Sequence, residues 1–356
     1  MPGKFSLRQD NKYILGQELI TINSKARIFH CLQSQQFDRE LLDHLCVLAD
    51  KIRDIARSKK GMEYLMSLLN HKRAMLYFVQ PSTRTFLSFY SACQILGVQC
   101  AEVRDTRTSS EVKGESEEDT VRTFSSYFDF IIMRHSKANF ADKIARLLDD
   151  SDRSVPIINA GSGKDQHPTQ ALLDIYTLQR SFLHRGTIDG LKIAFVGDLV
   201  RGRTCRSLAA LLSRYEGVKQ YFVAPEPYQM GSDILKLLDE AGSSYEVVED
   251  FASVIPEVDA IYMTRMQDEW DKEDGVSHPI DIEKYSFGPA QLPNLKPDAI
   301  LMHPLPRRKE MHPDVDKDPR AAYWRQVRNG MWARVALIAA IFGTDRYIDD
   351  YYNYNY

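Results

Sequence analysis

The chain has 356 residues, 44% of them hydrophobic and 27% charged, with a formal net charge of −3. This is the composition of a soluble globular protein; it excludes a disordered chain and a surface that gathers nucleic acid as a whole. No apolar run is long enough to span a bilayer, residues 1–10 lack the apolar core of a secretory signal, and five scattered cysteines without a CxxC pair predict reduced thiols, a cytoplasmic setting and no structural zinc.

Residues 1–37 are poorly periodic and read as an irregular extension. From Phe37 an amphipathic helix sets Leu41, Leu42, Leu45, Leu48, Ala49 and Ile52 on one face, and a second helix is expected over 61–69. Strands are then predicted at 73–79, 99–103, 130–134 and 155–159, alternating with helices at 83–96, 116–127, 138–149 and 168–182. Turn signals at Arg185-Gly186 and Asp189-Gly190 precede a second series. Its strands are expected at 192–197, 219–224, 245–248, 258–264 and 298–302, and its helices at 204–214 and 231–241. A last helix covers 331–342, and the aromatic tail 347–356 suits either disorder or packing on a partner. The length and this repetition predict an α/β chain of two doubly wound domains, each a parallel sheet covered by helices on both faces.

One turn anchors the functional reading. The run 74–79 suits a buried strand, and Phe86, Leu87, Phe89, Tyr90, Cys93 and Leu96 recur at helical spacing up to Gly97. Between them stand Ser82, Thr83, Arg84 and Thr85. The first turn of a helix has unpartnered backbone N–H groups and a partial positive charge, so hydroxyls and a guanidinium there make a phosphate site. A lone Ser-Thr pair more often only caps its helix. Further motifs of the same chemistry tip the balance, and each follows a predicted strand, where open α/β sheets bind ligands.

Arg134-His135 ends the third strand; alone, the Arg would be a surface residue. His167 precedes Pro168, a good first helical residue, so a cap-like role is its bland alternative. Gly161-Ser-Gly-Lys164 is not a nucleotide loop, because Ile158 occupies the first Gly position and Asp165 follows the Lys. Arg201 and Arg203 follow Gly197-Asp198 without GxGxxG spacing. Arg265 and Gln267 follow Met263, and His303 to Arg307 forms a rigid two-proline turn whose carbonyls remain free to accept. His167, His303 and His312 show no metal-ligand spacing. This inventory of Arg, His, Gln, Ser and Thr suits binding a phosphate and carboxylates while polarising a carbonyl.

Together, Ser82-Thr83-Arg84-Thr85, Arg134-His135, His167-Pro168-Thr169-Gln170, Gly202-Arg203-Thr204, Thr264-Arg265-Met266-Gln267 and His303-Pro304-Leu305-Pro306-Arg307 resemble the aspartate carbamoyltransferases of the aspartate/ornithine transcarbamylase family, over roughly 37–342. The His-Pro-Leu-Pro-Arg motif without Cys, the Arg265/Gln267 pair and the lack of a Ser-Met-Gly motif resemble the aspartate branch. The resemblance implies that Ser82, Thr83, Arg84 and Thr85 hold the phosphate of carbamoyl phosphate. It implies that Arg134, His167 and Thr85 donate to the carbamoyl oxygen, while Gln170 and the carbonyl of Leu305, ahead of Pro306, orient the carbamoyl NH2. Arg203, Arg265 and Gln267 would bind the carboxylates of L-aspartate.

The loop 108–115 matches the family loop that reaches in from a neighbouring subunit, with Ser109 and Lys113 in place, so a homotrimer with shared active sites is implied. No metal or organic cofactor is implied, because phosphate is already a good leaving group. The implied division is a carbamoyl-phosphate-binding domain of 1–168 plus 324–356, and an aspartate-binding domain of 169–323. A regulatory or dihydroorotase partner is left open. The alternatives are a transcarbamylase for ornithine or an acylated ornithine, and a catalytically silent scaffold subunit.

Two departures stand out. Phe86 and Tyr90 replace a basic residue and a Glu, giving an aromatic i,i+4 pair in place of an ion pair. Gln80 and Trp270 replace the Glu and Arg that link the domains on closure in well-studied members, so closure here is expected to rest on packing and amide contacts.

Overall fold

The structure is a computed structural model and describes residues 28–105, 114–163, 167–265 and 282–356. It contains two parallel sheets, of four and five strands. The first comprises β1 (Arg73–Phe78), β2 (Gln99–Val103), β3 (Phe130–His135) and β4 (Ile157–Ser162), in the order β2-β1-β3-β4. The second comprises β5 (Lys192–Val196), β6 (Lys219–Val223), β7 (Ser244–Val248), β8 (Ala260–Met263) and β9 (Ile300–Met302), in the order β7-β6-β5-β8-β9. The strand order therefore reverses between β1 and β3 and again between β5 and β8. The doubly wound α/β expectation is met, and such reversals open crevices at the strands' carboxyl ends.

Period-2 alternation explains why β1 reads as one apolar run. Ala74, Leu76 and Phe78 enter one core cluster and Met75 and Tyr77 another, so both faces are buried. Helices cover them: α1 (Arg39–Ile55), α2 (Lys59–Leu68), α3 (Thr83–Ile95), α4 (Glu117–Tyr127), α5 (Phe140–Asp149), α6 (Pro168–Ser181), α7 (Arg203–Leu212), α8 (Ser232–Glu240) and the short α9 (Phe251–Val254). Helix α1 starts where Asp38 accepts from the Leu41 N–H at 2.8 Å, and α2 where Ser58 accepts from the Gly61 N–H at 2.9 Å. One continuous apolar cluster draws on one face of each sheet and on α1, α6 and α7, while smaller clusters cover the outer faces.

Three stretches differ from expectation. The segment before α1 is not wholly irregular: Cys31 pairs beside β4, its N–H donating to Ile157 O at 2.9 Å and its O accepting from the Asn159 N–H at 2.8 Å. The penultimate helix, α10 (Tyr323–Ile341), starts eight residues before the expected Met331. Its first turns bury Gln326 and Asn329, which bond Asp174 and Thr177 on α6, so hydrophobic periodicity cannot reveal them. The aromatic tail forms a helix, α11 (Asp345–Asn355), packed on its own chain. Ile348 is buried, Tyr351 stacks on Tyr64 at 3.9 Å, and Asp349 pairs with Lys51 at 2.8 Å. Among the described residues no helix is long and apolar enough to cross a membrane.

Candidate active site

The carboxyl ends of β1, β3, β4, β8 and β9 and the starts of α3, α6 and α7 surround one pocket of about 280 Å³. Its walls include Ser82, Arg84, Thr85, Arg134, His167, Gln170, Arg203, Arg265, Leu305 and Pro306. Thr83 is exposed and lies outside the wall. Ser109, Lys113 and Gln267 lie outside the described residues, as does Trp270.

At the start of α3, Ser82 occupies the N-cap position, yet its side chain makes no capping bond, and no acid stands in the first turn. The simple capping alternative therefore fails for Ser82, and its hydroxyl faces the pocket beside a helix N-terminus that favours anions. The departure at 86 and 90 forms a real contact: the Phe86 and Tyr90 rings stack at 5.9 Å.

Arg134 leaves β3 at a register shift against β4 and is buried. Its Nη1 donates to Ala160 O at 3.0 Å, and its Nε has no hydrogen-bond partner among the described residues. Gly161 makes room for it: the backbone there has φ +119°, and a Cβ would lie 2.4 Å from Arg134 Nη1. His135 turns elsewhere, stacking on Phe140 at 4.0 Å and meeting Glu117 at 3.2 Å.

His167 is buried just before α6, and its side chain does not cap the helix. Burial first, then the guanidinium groups of Arg134, Arg203 and Arg334, hold it well below the usual imidazole range. It is held as a neutral imidazole rather than a cation. One turn on, Gln170 donates through Nε2 to Asp174 Oδ1 at 3.0 Å. That bond fixes the amide so that Oε1 remains the acceptor offered to a ligand. Asp174 is fully buried and also accepts from Gln326 at 2.6 Å and Tyr262 OH at 2.8 Å. Burial pushes its carboxyl up to about 7, against the pull of those three donors.

Gln326 carries the network to the last strand end, its Oε1 accepting from the His303 N–H at 3.0 Å. His303 Nδ1 accepts from the Leu305 N–H at 2.8 Å, so its Nε2 donates to Glu310 at 2.8 Å. Leu305 is thereby held at φ +55°, an unusual conformation for a branched residue, ahead of a cis bond to Pro306. Arg203 opens α7 and donates to Gly163 O, bringing the second sheet's side of the pocket against the first's.

Arg84, Arg134, Arg203, Arg265 and Arg334 line the pocket, and among the described residues no carboxylate does. Burial and the neighbouring cations pull Arg134 down to about 9, and burial pulls Arg334 down to about 10. Each charge is costly there until an anion arrives. The pocket is therefore built for a ligand with several negative charges, with a neutral imidazole and a guanidinium at hand to stabilise a developing oxyanion. Among the described residues no cluster of three or more His, Cys, Asp or Glu could hold a metal ion.

Sequence reasoning missed Asp174, Gln326, Ser88 and Arg334. The signal for two of them was a lone charge in an apolar helical run: Asp174 within Ala171 to Tyr176, and Arg334 within Ala333 to Ile341. Arg334 Nη1 bonds Ser88 Oγ at 2.7 Å.

A two-sheet α/β protein with a strongly cationic pocket at the carboxyl ends of both sheets is the class this geometry defines. Residues 30–180 match the model of the aspartate/ornithine carbamoyltransferase carbamoyl-P binding domain, and residues 189–341 that of the Asp/Orn binding domain. The chain is 38% identical to chloroplastic aspartate carbamoyltransferase 1 of Pisum sativum, over 95% of this chain and 87% of that one. It is 44% identical to the aspartate carbamoyltransferase catalytic subunit of Vibrio cholerae, over 77% and 86%. Among solved structures, Trypanosoma cruzi aspartate transcarbamoylase with carbamoyl aspartate and phosphate superposes with a TM-score of 0.78 at 33% identity, covering 91% of this chain and 98% of that one. The same trypanosomal enzyme has been seen with carbamoyl phosphate plus aspartate and with N-(phosphonacetyl)-L-aspartate. The chain belongs to the aspartate/ornithine carbamoyltransferase family.

Proposed function

We infer that the chain transfers the carbamoyl group of carbamoyl phosphate to the amino group of L-aspartate, giving N-carbamoyl-L-aspartate and phosphate for pyrimidine biosynthesis. The observation that carries this reading is the five-arginine pocket at the sheets' carboxyl ends, which contains the neutral His167 and, among the described residues, no acid.

Each residue has a role. Ser82, Arg84 and Thr85, with the α3 N–H groups, hold the phosphate, while Thr83 contributes through backbone at most. Arg134, His167 and Thr85 donate to the carbamoyl oxygen as the aspartate amine attacks the carbonyl carbon. One such donor is worth about 2.7–4 kcal/mol of barrier. Gln170 Oε1 and the Leu305 carbonyl accept from the carbamoyl NH2. Collapse of the tetrahedral intermediate breaks the C–O bond to phosphate, which leaves onto the α3 site and takes up the proton released by the attacking nitrogen. Arg203, Arg265 and Gln267 hold the two carboxylates, a task for which forked guanidinium groups suit.

On this reading residues 1–168 with 324–356 bind carbamoyl phosphate and 169–323 bind aspartate. The packing of α10 on α1 and α3 supports grouping the end of the chain with the first domain. Ser109 and Lys113 complete a neighbour's site in a homotrimer. Five free cysteines support a reducing compartment, which we take to be the cytoplasm, although the plant relatives are named chloroplastic.

Incubating carbamoyl phosphate with aspartate, ornithine and acylated ornithines in parallel tests the reading. Carbamoylated product is expected with aspartate; product with ornithine alone would refute it, and no product with any acceptor would make the chain a silent subunit.

A further inference from the structure

A second cavity, of about 300 Å³, lies on the far side of α10 and is lined by Arg53, Arg180, Ser181, Arg325, Arg328 and Asn329, with Ile300 at its wall. Four guanidinium groups from three helices thus meet where α1, the end of α6, the first turns of α10 and the start of β9 converge. Among the described residues no carboxylate lines this cavity. Arg180 is partnered by Asp50, which also accepts from Tyr176 OH at 2.7 Å. Arg325 spends one nitrogen on Pro319 O at 3.0 Å. Arg53 and Arg328 make no hydrogen bond or ion pair among the described residues. Like charges gathered in one hollow repel one another, and a protein of net charge −3 has acids to spare for neutralising them.

We propose that this cavity is a second anion site, distinct from the active-site pocket, that takes a small polyphosphate. Charge selects the ligand class: after Asp50 neutralises one guanidinium, three positive charges remain around a space that admits two or three phosphoryl groups. Forked guanidinium groups match phosphoryl oxygens two at a time.

The site shares a wall with the catalytic one. At about 100° per helical residue, Arg325, Arg328 and Asn329 project from the face of α10 opposite Gln326, Val327 and Arg334, which line the active-site pocket. Gln326 holds the His303 backbone and Asp174. A polyanion clamped by Arg325 and Arg328 fixes α10 against α6 and β9, and with it the loop that presents Leu305. Occupancy is thereby coupled to the active site through a rigid element rather than through competition for it.

Calorimetric titration of inorganic pyrophosphate into protein already saturated with N-(phosphonacetyl)-L-aspartate tests this directly. The analogue's own titration, run first, reports separately whether the functional reading holds. One saturable pyrophosphate site per chain is expected with the active site filled. Arg328→Glu and Arg53→Ala, both outside the catalytic pocket, should each weaken it at least tenfold while leaving pyrophosphate-free turnover unchanged. A nucleoside triphosphate in the same cell separates a free polyphosphate from a nucleotide-borne one. Absence of saturable binding once the analogue is bound would overturn the proposal, as would undiminished binding in both variants.

Discussion

At Gly161 the backbone φ is +119°, and the Cβ of any other residue would sit 2.4 Å from the Arg134 guanidinium. Gly161→Ala therefore combines left-handed strain with displacement of the guanidinium to which the proposed function gives the carbamoyl oxygen. Its kcat for carbamoyl transfer should fall about 10²–10³-fold, the scale for losing one oxyanion donor, with an unchanged far-ultraviolet circular dichroism spectrum. Asp174 yields a pH prediction. Its carboxyl, ordinarily near 3.8, is pushed up to about 7, so between those values the folded chain holds a proton that the unfolded chain has released. The stability this confers is complete below 3.8 and is lost as pH rises through about 7. In Asp174→Asn nothing titrates, so its melting temperature should fall less than the wild type's from pH 5 to pH 8. Parallel melting curves for the two proteins would contradict the buried-proton account.

Helix α11 shows at the next scale what polar and aromatic sequence conceals. Ile348 is its one buried side chain and is fully enclosed, while ring stacking and ion pairs to α1 and α2 do the rest. Ile348→Ala should destabilise the protein by about 2–5 kcal/mol in urea titration while leaving the KM for aspartate unchanged. Where a strand or helix buries an apolar stripe, the sequence shows it plainly: β1 is predicted at 73–79 and found at Arg73–Phe78, buried from Ala74 onward. Where the inward stripe is polar, as at Gln326 and Asn329 of α10, periodicity falls silent and the helix is read eight residues short. The site divides in the same way. Residues in loops at strand ends were legible because Arg, His and Ser there have little structural work to do. Asp174 and Arg334 were not, because each lies inside a helix whose other residues are apolar core. Thr83 sat in the right motif, but helical geometry turns it away from the wall its neighbours form.

Across the whole molecule, chemistry and architecture coincide. The active-site pocket takes the start of α6 and the middle of α10 for walls, and both helices belong to the core cluster that joins the two sheets. Any relative motion of the halves passes through side chains that line the pocket, including Arg203, which donates to Gly163 O of the opposite half. The proposed contribution of Ser109 and Lys113 across a trimer makes a separate prediction. Arg134→Ala and Lys113→Ala chains, each nearly inactive alone, should regain activity when dissociated and reassembled together, because some sites then receive an intact Arg134 from one chain and an intact Lys113 from another. Unrestored activity in the mixed trimers would place each site within a single chain.

The most direct test of the account is the affinity for N-(phosphonacetyl)-L-aspartate, which joins the phosphoryl, carbonyl and dicarboxylate features that the pocket is held to recognise together. The account predicts tight binding by the wild type and a loss of at least a hundredfold in both Arg134→Ala and Arg203→Ala, with folding intact. Equal binding by wild type and both variants would contradict it.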